Sequence, residues 1–479
     1  MNSIKSKLKN YLFHGLVYGF GSAFDAIVGF LVLPLYTIHF STEEYGIFSF
    51  LILLSTFASS IFYLGATSAL TRSYFDYDDI EERKKVASTS LYITLLGAIM
   101  QISIGLIFSE QISMLLFETT IYKNHILLIL ISSSLLFINQ FFYLILRLLL
   151  KSLHIVSVSI FSSTIFLLSL WILLTYYEYG ILSPVIAFNI SYSIGTIILL
   201  FMCRNYFSLF PKKREFKIQL IFGLPQLFIG FSYYAIDWID RFFINEYLSL
   251  GDVGIYSFGY KISMLIHMIF IIPFSKVWAT IRSENLNSNI ESLSSKMLTY
   301  YYLIGSILAL LVIIFIKEFF ILFSRNTDYD SAQYVVPFVI FAHLLYGMIN
   351  ILDLGIFKER KPMYTGIILM IHIPINIILN FILVPKFGYY GAAVSTLITY
   401  FLLTMTVAYV ADRLLKVNYE KFNLLLISLV SFITIIIYLY VIDNSQLFSL
   451  NKFLIFTLLL VFYWYYFRKD IKKIISQDL

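Results

Sequence analysis

Residues 233–247 read YYAIDWIDRFFINEY, an apolar helical stretch interrupted by Asp237, Asp240 and Arg241. Positions three and four apart share one helix face. The three charges can therefore form a local ion cluster, which either serves an outer gate or is an interfacial salt bridge that ends the span. Asp25, in YGFGSAFDAIVGF, is flanked on both sides by mostly apolar residues. A carboxyl there either meets a cation or a coupling proton in a cavity, or is packed in protonated form against a neighbouring helix. Lys261, in FGYKISMLIH, either reaches an anion or snorkels to an interface. Arg72 in SALTRSYF and Arg147 in YLILRLLLK close apolar stretches. Their forked donors match phosphate oxygens, and interfacial anchoring accounts for them equally well. Lys276 and Arg282 have the same two readings, and Asp353 can pair with one of these arginines. His372, Asn376 and Asn380 recur every four residues around Pro374, a polar stripe that can hydrogen-bond either sugar hydroxyls or a neighbouring helix.

Composition says what positions these residues. Of 479 residues, 59% are apolar and 13% charged, with mean hydropathy +0.84, the profile of an integral membrane protein. A bilayer core of about 30 Å needs roughly 20 apolar residues per helix, and such runs fill the chain, leaving no room for a soluble domain. The basic start MNSIKSKLKN leads into an apolar segment lacking an A-x-A-like cleavage site, so it reads as a retained first span. The single Cys203 excludes an intramolecular disulfide and a multi-cysteine metal site. An ionisable side chain inside a span costs roughly 2.5–3.5 kcal/mol on insertion scales and faces a bundle interior or cavity. The intramembrane charges therefore map the candidate site.

Fourteen helical spans are expected, from residues 13–38 to residues 452–467, which makes an all-α polytopic protein with both termini on one side. If that side is the cytoplasm, its connectors hold 26 of the 34 Lys and Arg, and the opposite side holds six. This is the positive-inside pattern. The formal charge of +6 thus marks membrane orientation and gives no sign of nucleic acid.

Internal repetition organises the spans. FSTEEYGIFSF (40–50) and LSLGDVGIYSF (248–258) align at an offset of 208, matching Gly46 to Gly254 and Ser49 to Ser257. YEYGILSPVIA (177–187) and GYYGAAVSTLI (388–398) match Gly180 to Gly391 at a nearby offset of 211. The expected organisation is a six-helix bundle over 1–211, a second over 212–416, and two further helices with a basic tail over 417–479.

LPLYTIHFSTEEYGIFSF (33–50), the D-x-x-x-R-F-F-I-x-x-Y-L-x-x-x-D-V-G-I-Y-S pattern from Asp237 to Ser257, and LNFILVPKFGYYGAAVSTLITY (379–400) resemble polysaccharide flippases of the Wzx type. These belong to the multidrug, oligosaccharidyl-lipid and polysaccharide exporter superfamily. The resemblance covers the whole chain in length, span number and hairpin placement. It implies an inner-membrane transporter that moves an undecaprenyl-diphosphate-linked repeat unit, such as that of O-antigen in lipopolysaccharide, from the cytoplasmic to the outer leaflet. A polysaccharide polymerase and a chain-length regulator would be its protein partners, and bilayer lipids its surroundings.

Such a cargo has an anionic head that cannot cross hydrocarbon unaided and needs a wet, partly cationic cleft. On that reading Arg72, Arg147, Lys261 and Arg241 contact the diphosphate. Asp25, Asp237, Asp240 and Asp353 gate the path or couple it to protons or sodium, and His372, Asn376 and Asn380 line the sugar cavity. GIYSFGYKIS (254–263) imitates a phosphate-binding loop, but Tyr260 stands where the lysine belongs. No nucleophile elbow or zinc-protease motif occurs either, so neither an enzyme activity nor a cofactor or metal is expected. Two other classes stay open: a multidrug or small-cation exporter, which would prefer an acidic pocket, and a membrane polysaccharide polymerase, which would need larger extracytoplasmic loops.

Overall fold

Backbone that crosses hydrocarbon must satisfy its own hydrogen bonds, and the helix does this within one segment. The described residues accordingly contain helices and no strand. The computed structural model describes the backbone except at Met1, Leu209, 285–289, Arg360, Pro362, 445–447 and 478–479. Side chains are described from Val17 to Arg468, apart from those same positions and Tyr18, Ser22, Ser68, Arg72, Lys213, Phe222, 224–231, Tyr233, Thr280, Glu284 and 437–451.

The chain begins with α1 (Asn2–His39), α2 (Thr42–Phe62), α3 (Ala66–Ser73), α4 (Ile80–Phe117), α5 (Lys123–Leu148), α6 (Ser152–Thr175) and α7 (Leu182–Cys203). There follow α8 (Lys213–Tyr247), α9 (Leu250–Ile266), α10 (Ile272–Glu284), α11 (Ile290–Ile314), α12 (Ile316–Phe323), α13 (Val336–Leu352) and α14 (Leu354–Lys358). The last four are α15 (Met363–Phe387), α16 (Tyr389–Leu414), α17 (Lys421–Asn444) and α18 (Phe448–Gln477). Helix occupies all fourteen expected segments. Among the described residues, eleven helices are long and apolar enough to cross a membrane. The other three segments, α8, α17 and α18, contain stretches outside the described side chains.

Four expected spans are interrupted, the ninth at Phe315 between α11 and α12 and the tenth at Asp353 between α13 and α14; the other two break for a visible local reason. The second breaks between α2 and α3 at Gly65, whose φ is +63°. A side chain there is excluded by strain, and by space too, because a Cβ would lie 2.4 Å from the Cα of Gly223 on α8. The eighth is divided into α9 and α10 by a π-turn, His267–Ile271.

Helix bounds recur at a spacing of 208 residues. Helix α1 ends at His39 and α8 at Tyr247, while α2 begins at Thr42 and α9 at Leu250. The caps recur as well. The Ser41 hydroxyl accepts the Glu44 amide, and the Glu44 carboxylate accepts the Ser41 amide, a reciprocal cap with negative charge placed at a helix N-terminus. At the same spacing, the Ser249 hydroxyl accepts the Asp252 amide and donates to the Asp252 carboxylate. The positive-φ glycines follow suit: Gly180 at +51° corresponds to Gly388 at +62°. This corrects the alignment of Gly180 with Gly391, which the aromatic-glycine lettering alone had favoured.

Contacts divide the chain into two compact units. The first holds 1–257, 323–329 and 369–392; the second holds 258–322, 330–368 and 393–479. In the first, α5 packs on α4 and α7, and α6 packs on α1 and α7. Polar side chains fasten these apolar faces: the Gln101 amide donates to Leu130 O, Asn139 to Tyr192 O, and the Ser191 hydroxyl to Ser162 O. Such bonds specify neighbours where lipid gives helices no hydrophobic reason to associate. In the second unit, α11 packs against α13 and α17 around buried Tyr301, Leu310, Val339 and Ile340.

Candidate functional site

Within the first unit a buried polar network joins α2, α8, α9 and α15. Asp240 is 0% exposed and Arg241 6%. One Asp240 oxygen accepts the Tyr256 hydroxyl at 2.7 Å, and the other accepts the Asn380 amide at 2.9 Å. The Asn380 amide also lies 3.0 Å from Asn376 O and 3.2 Å from Asn376 Oδ1, while its own Oδ1 is buried with no hydrogen-bond partner. Arg241 Nε donates to the Ser257 hydroxyl at 3.0 Å and its Nη1 to the main-chain oxygen of half-buried Asp237 at 2.9 Å. Its guanidinium sits 5.4 Å from the Tyr256 ring centroid. His372 and Asn376 are buried as well.

The network extends to the repeat-related hairpin. Ser257 donates to Ser49 at 3.0 Å, two residues separated by the 208-residue spacing. One turn away the backbones touch. A Cβ built on Gly46 would lie 2.0 Å from Leu250 O, and one on Gly254 would lie 1.8 Å from Thr42 O. The two contacts interconvert when 208 is added or subtracted. Residue i meeting j′ while i′ meets j is the signature of a local two-fold axis. Small residues at the crossing are what close helix approach requires.

Asp25 occupies a different setting in the same unit. It is exposed on α1 and accepts the hydroxyls of Ser159 at 2.6 Å and Ser163 at 2.7 Å, four residues apart on α6. Tyr143 of α5 and Tyr192 of α7 lie close enough to feel its charge. The α6 serines, which composition would assign to helix packing, are thus ligands of a carboxylate. Only a contact between distant helices could have revealed that role.

Arg147 is exposed in the last turn of α5, near Tyr63. The backbone of Arg72 lies on α3, and its side chain is outside the described residues. The connector after α7 is fastened to the start of α4: Lys212 pairs with Glu82 at 2.8 Å, and the Tyr77 hydroxyl donates to Glu215 at 2.6 Å. Those bonds raise the pKa of Lys212, through its contact with Glu82, and that of Tyr77, through its contact with Glu215.

In the second unit Lys261 is half-buried on α9. Asp353, between α13 and α14, pairs with Arg282 at 2.6 Å, and the guanidinium lies over the Phe357 ring at 3.8 Å. His267 and His343 stand edge to face at 5.6 Å, with Tyr260 5.2 Å from His343. The structure therefore brings Asp237, Asp240, Arg241, Asn376 and Asn380 together. Asp25 and the Asp353 pair each have different partners. Sequence reasoning missed Tyr256 as a donor to Asp240; the signal for it was its place in the repeated hairpin.

The family described as polysaccharide biosynthesis protein matches residues 8–279, more than half of the chain. A probable low-salt glycan biosynthesis flippase, Agl15 of Haloferax volcanii, is 25% identical over 195 residues, which are 39% of this chain and 40% of that relative. Among solved structures, the lipid II flippase MurJ in an inward closed conformation superposes with a TM-score of 0.74 at 21% identity, covering 96% of this chain and 100% of that one. An inward-facing multidrug resistance MATE family transporter of the MOP superfamily superposes at 0.66 with 14% identity, covering 82% and 94%. At these identities the likeness to solved structures is one of fold.

Proposed function

The chain belongs to the polysaccharide biosynthesis protein family, and on that premise we propose that it is a flippase for lipid-linked oligosaccharides. It would carry an undecaprenyl-diphosphate-linked repeat unit from the cytoplasmic to the outer leaflet of the bacterial inner membrane, with both termini cytoplasmic. The observation that carries this reading is the buried Asp240–Arg241 network. Ionisable groups buried in a polytopic bundle are costly, and where they occur they mark substrate or ion pathways. Family membership supplies the glycan, and the MOP-type fold supplies the alternating-access frame.

In this mechanism the two duplicated bundles alternate between inward-open and outward-open arrangements. Arg72 and Arg147 draw the diphosphate in from the cytoplasmic leaflet, and Lys261 with Arg241 guides it outward. Coupling is assigned to two carboxylates. Asp25 offers an accessible one. Asp240 offers a buried one, whose oxygens accept from the Tyr256 hydroxyl and the Asn380 amide; a sodium ion would have to displace those donors, whereas a proton would neutralise Asp240. Either ion would bind one state better than the other, and that difference is what drives the cycle. The buried stripe of His372, Asn376 and Asn380 takes part through this network, and Asp353 acts through its pair with Arg282.

The test is the leaflet distribution of the lipid-linked oligosaccharide after deletion of the gene. Accumulation on the cytoplasmic leaflet is expected. An unchanged distribution with increased drug sensitivity would favour the second reading, a small-cation exporter, for which exposed Asp25 would be the binding carboxylate.

A further inference from the structure

Residues 323–329 depart from the plan of the repeat. At the 208-residue spacing their counterpart in the first half is 115–121, which stays in the unit that its own half builds. Residues 323–329 do not: the chain leaves the second unit after Leu322, packs this segment into the first, and returns to the second at Asp330.

The landing surface is the end of α1 and the turn into α2. Phe30 and Thr37 share one face of α1, and both meet the segment. The Phe30 and Phe323 rings lie 5.6 Å apart. The Thr37 hydroxyl is shared between Pro34 O and Phe323 O at 3.3 Å each, and its oxygen accepts the Arg325 amide at 3.0 Å. At the far end of the segment the Tyr329 hydroxyl reaches Ser41 O at 2.9 Å and Phe40 O at 3.2 Å, with its ring edge to face with Tyr45 at 5.9 Å. Main-chain oxygens at a helix end lack donors further along the helix, so Tyr329 acts as a remote cap on α1.

Tyr329 and Ser324 are buried, whereas Arg325, Thr327 and Asp328 are exposed. Each hydrogen bond named joins neutral groups, whose net worth is a few-fold in an equilibrium, and water at a membrane surface can replace each of them. Contacts of that kind hold a segment at rest and release it at small cost.

We propose that residues 323–329 form a releasable strap on the outer side of the protein. It is docked on α1 and α2 here, and it lets go when the two units part on that side in the outward-open arrangement. The strap's place outside and its part in transport rest on the flippase reading; docking and release do not.

The chain's one cysteine, Cys203, is buried, so Ser324→Cys supplies a nearly background-free reporter of release in the full-length protein in nanodiscs. A sulfonated maleimide should label it slowly. Adding Tyr329→Phe should speed that labelling about fivefold, the change expected from one neutral hydrogen bond, while a Thr327→Cys control keeps its rate. Equal Ser324→Cys rates with and without the Tyr329 hydroxyl overturn the proposal. A second arm pairs Thr37→Cys with Arg325→Cys, which the 3.0 Å contact between the Thr37 hydroxyl and the Arg325 amide brings within disulfide reach. Oxidising that pair in cells should trap lipid-linked oligosaccharide on the cytoplasmic leaflet, and dithiothreitol should free it. A normal leaflet distribution with the disulfide formed would show a static segment and overturn the proposal. The gene-deletion strain is the reference: if it too has a normal distribution, the flippase reading fails, and the labelling rates alone uphold or reject the strap.

Discussion

Asp25 and Asp240 are both aspartates set in apolar helices of the same unit, and their surroundings are opposite. Asp25 is exposed and held by two serine hydroxyls from one helix, donors that can turn to other acceptors at little cost. Asp240 is sealed, with a phenol from α9 and an amide from α15 as fixed donors and Arg241 beside it. A carboxylate with rotatable, accessible partners is free to exchange them for a visiting ion. One whose partners come from two other packed helices can change charge only if those helices rearrange. The first suits ion capture and the second suits conversion of capture into motion.

Substitutions can break or sharpen that contrast. Asp240→Ala strands the buried Tyr256 and Asn380 donors, so it should cost about 2–5 kcal/mol. A fluorescence melt of detergent-purified protein measures this, and a variant as stable as the parent would show that the network is not structural. Gly254→Ala forces a Cβ against Thr42 O and should cost about 1–3 kcal/mol. Gly46→Ala should cost the same amount because the two contacts are reciprocal; very unequal losses in the same melt would argue against a local two-fold axis. Asp25→Asn should change stability by less than about 1 kcal/mol while abolishing transport in proteoliposomes, and full transport would remove Asp25 from coupling. The smallest effect belongs to the Ser49–Ser257 bond, where a double-mutant cycle with alanines should give a coupling of about 0.5–1.5 kcal/mol.

Much of this was legible before any coordinates. Spacing placed Asp237, Asp240 and Arg241 on one face and set His372, Asn376 and Asn380 in a stripe, because helical periodicity is a property of neighbouring positions. The repeated hairpin was visible in its letters, and its glycines and serines proved to be partners of each other. By contrast, the meeting of Asp240 with Asn380 spans 140 residues and that of Asp25 with Ser159 spans 134. No local pattern encodes either. The alignment of Gly180 with Gly391 failed for a related reason: lettering recorded residue type, whereas the equivalence with Gly388 lies in a left-handed backbone angle.

The amino-acid sequence by itself determined that this chain is a bundle of membrane helices, roughly where each begins and ends, and which side chains are too costly to lie there without a purpose. Hydrophobicity and hydrogen-bond satisfaction act along a single segment, so one segment's residues suffice to decide them. Only the tertiary structure decided which carboxylate is sealed and which is open, and that the eighth expected span is divided by a π-turn. Those outcomes depend on what the neighbouring helices place opposite each residue, and in a bilayer that choice rests on close packing and interhelical hydrogen bonds between residues far apart in the chain.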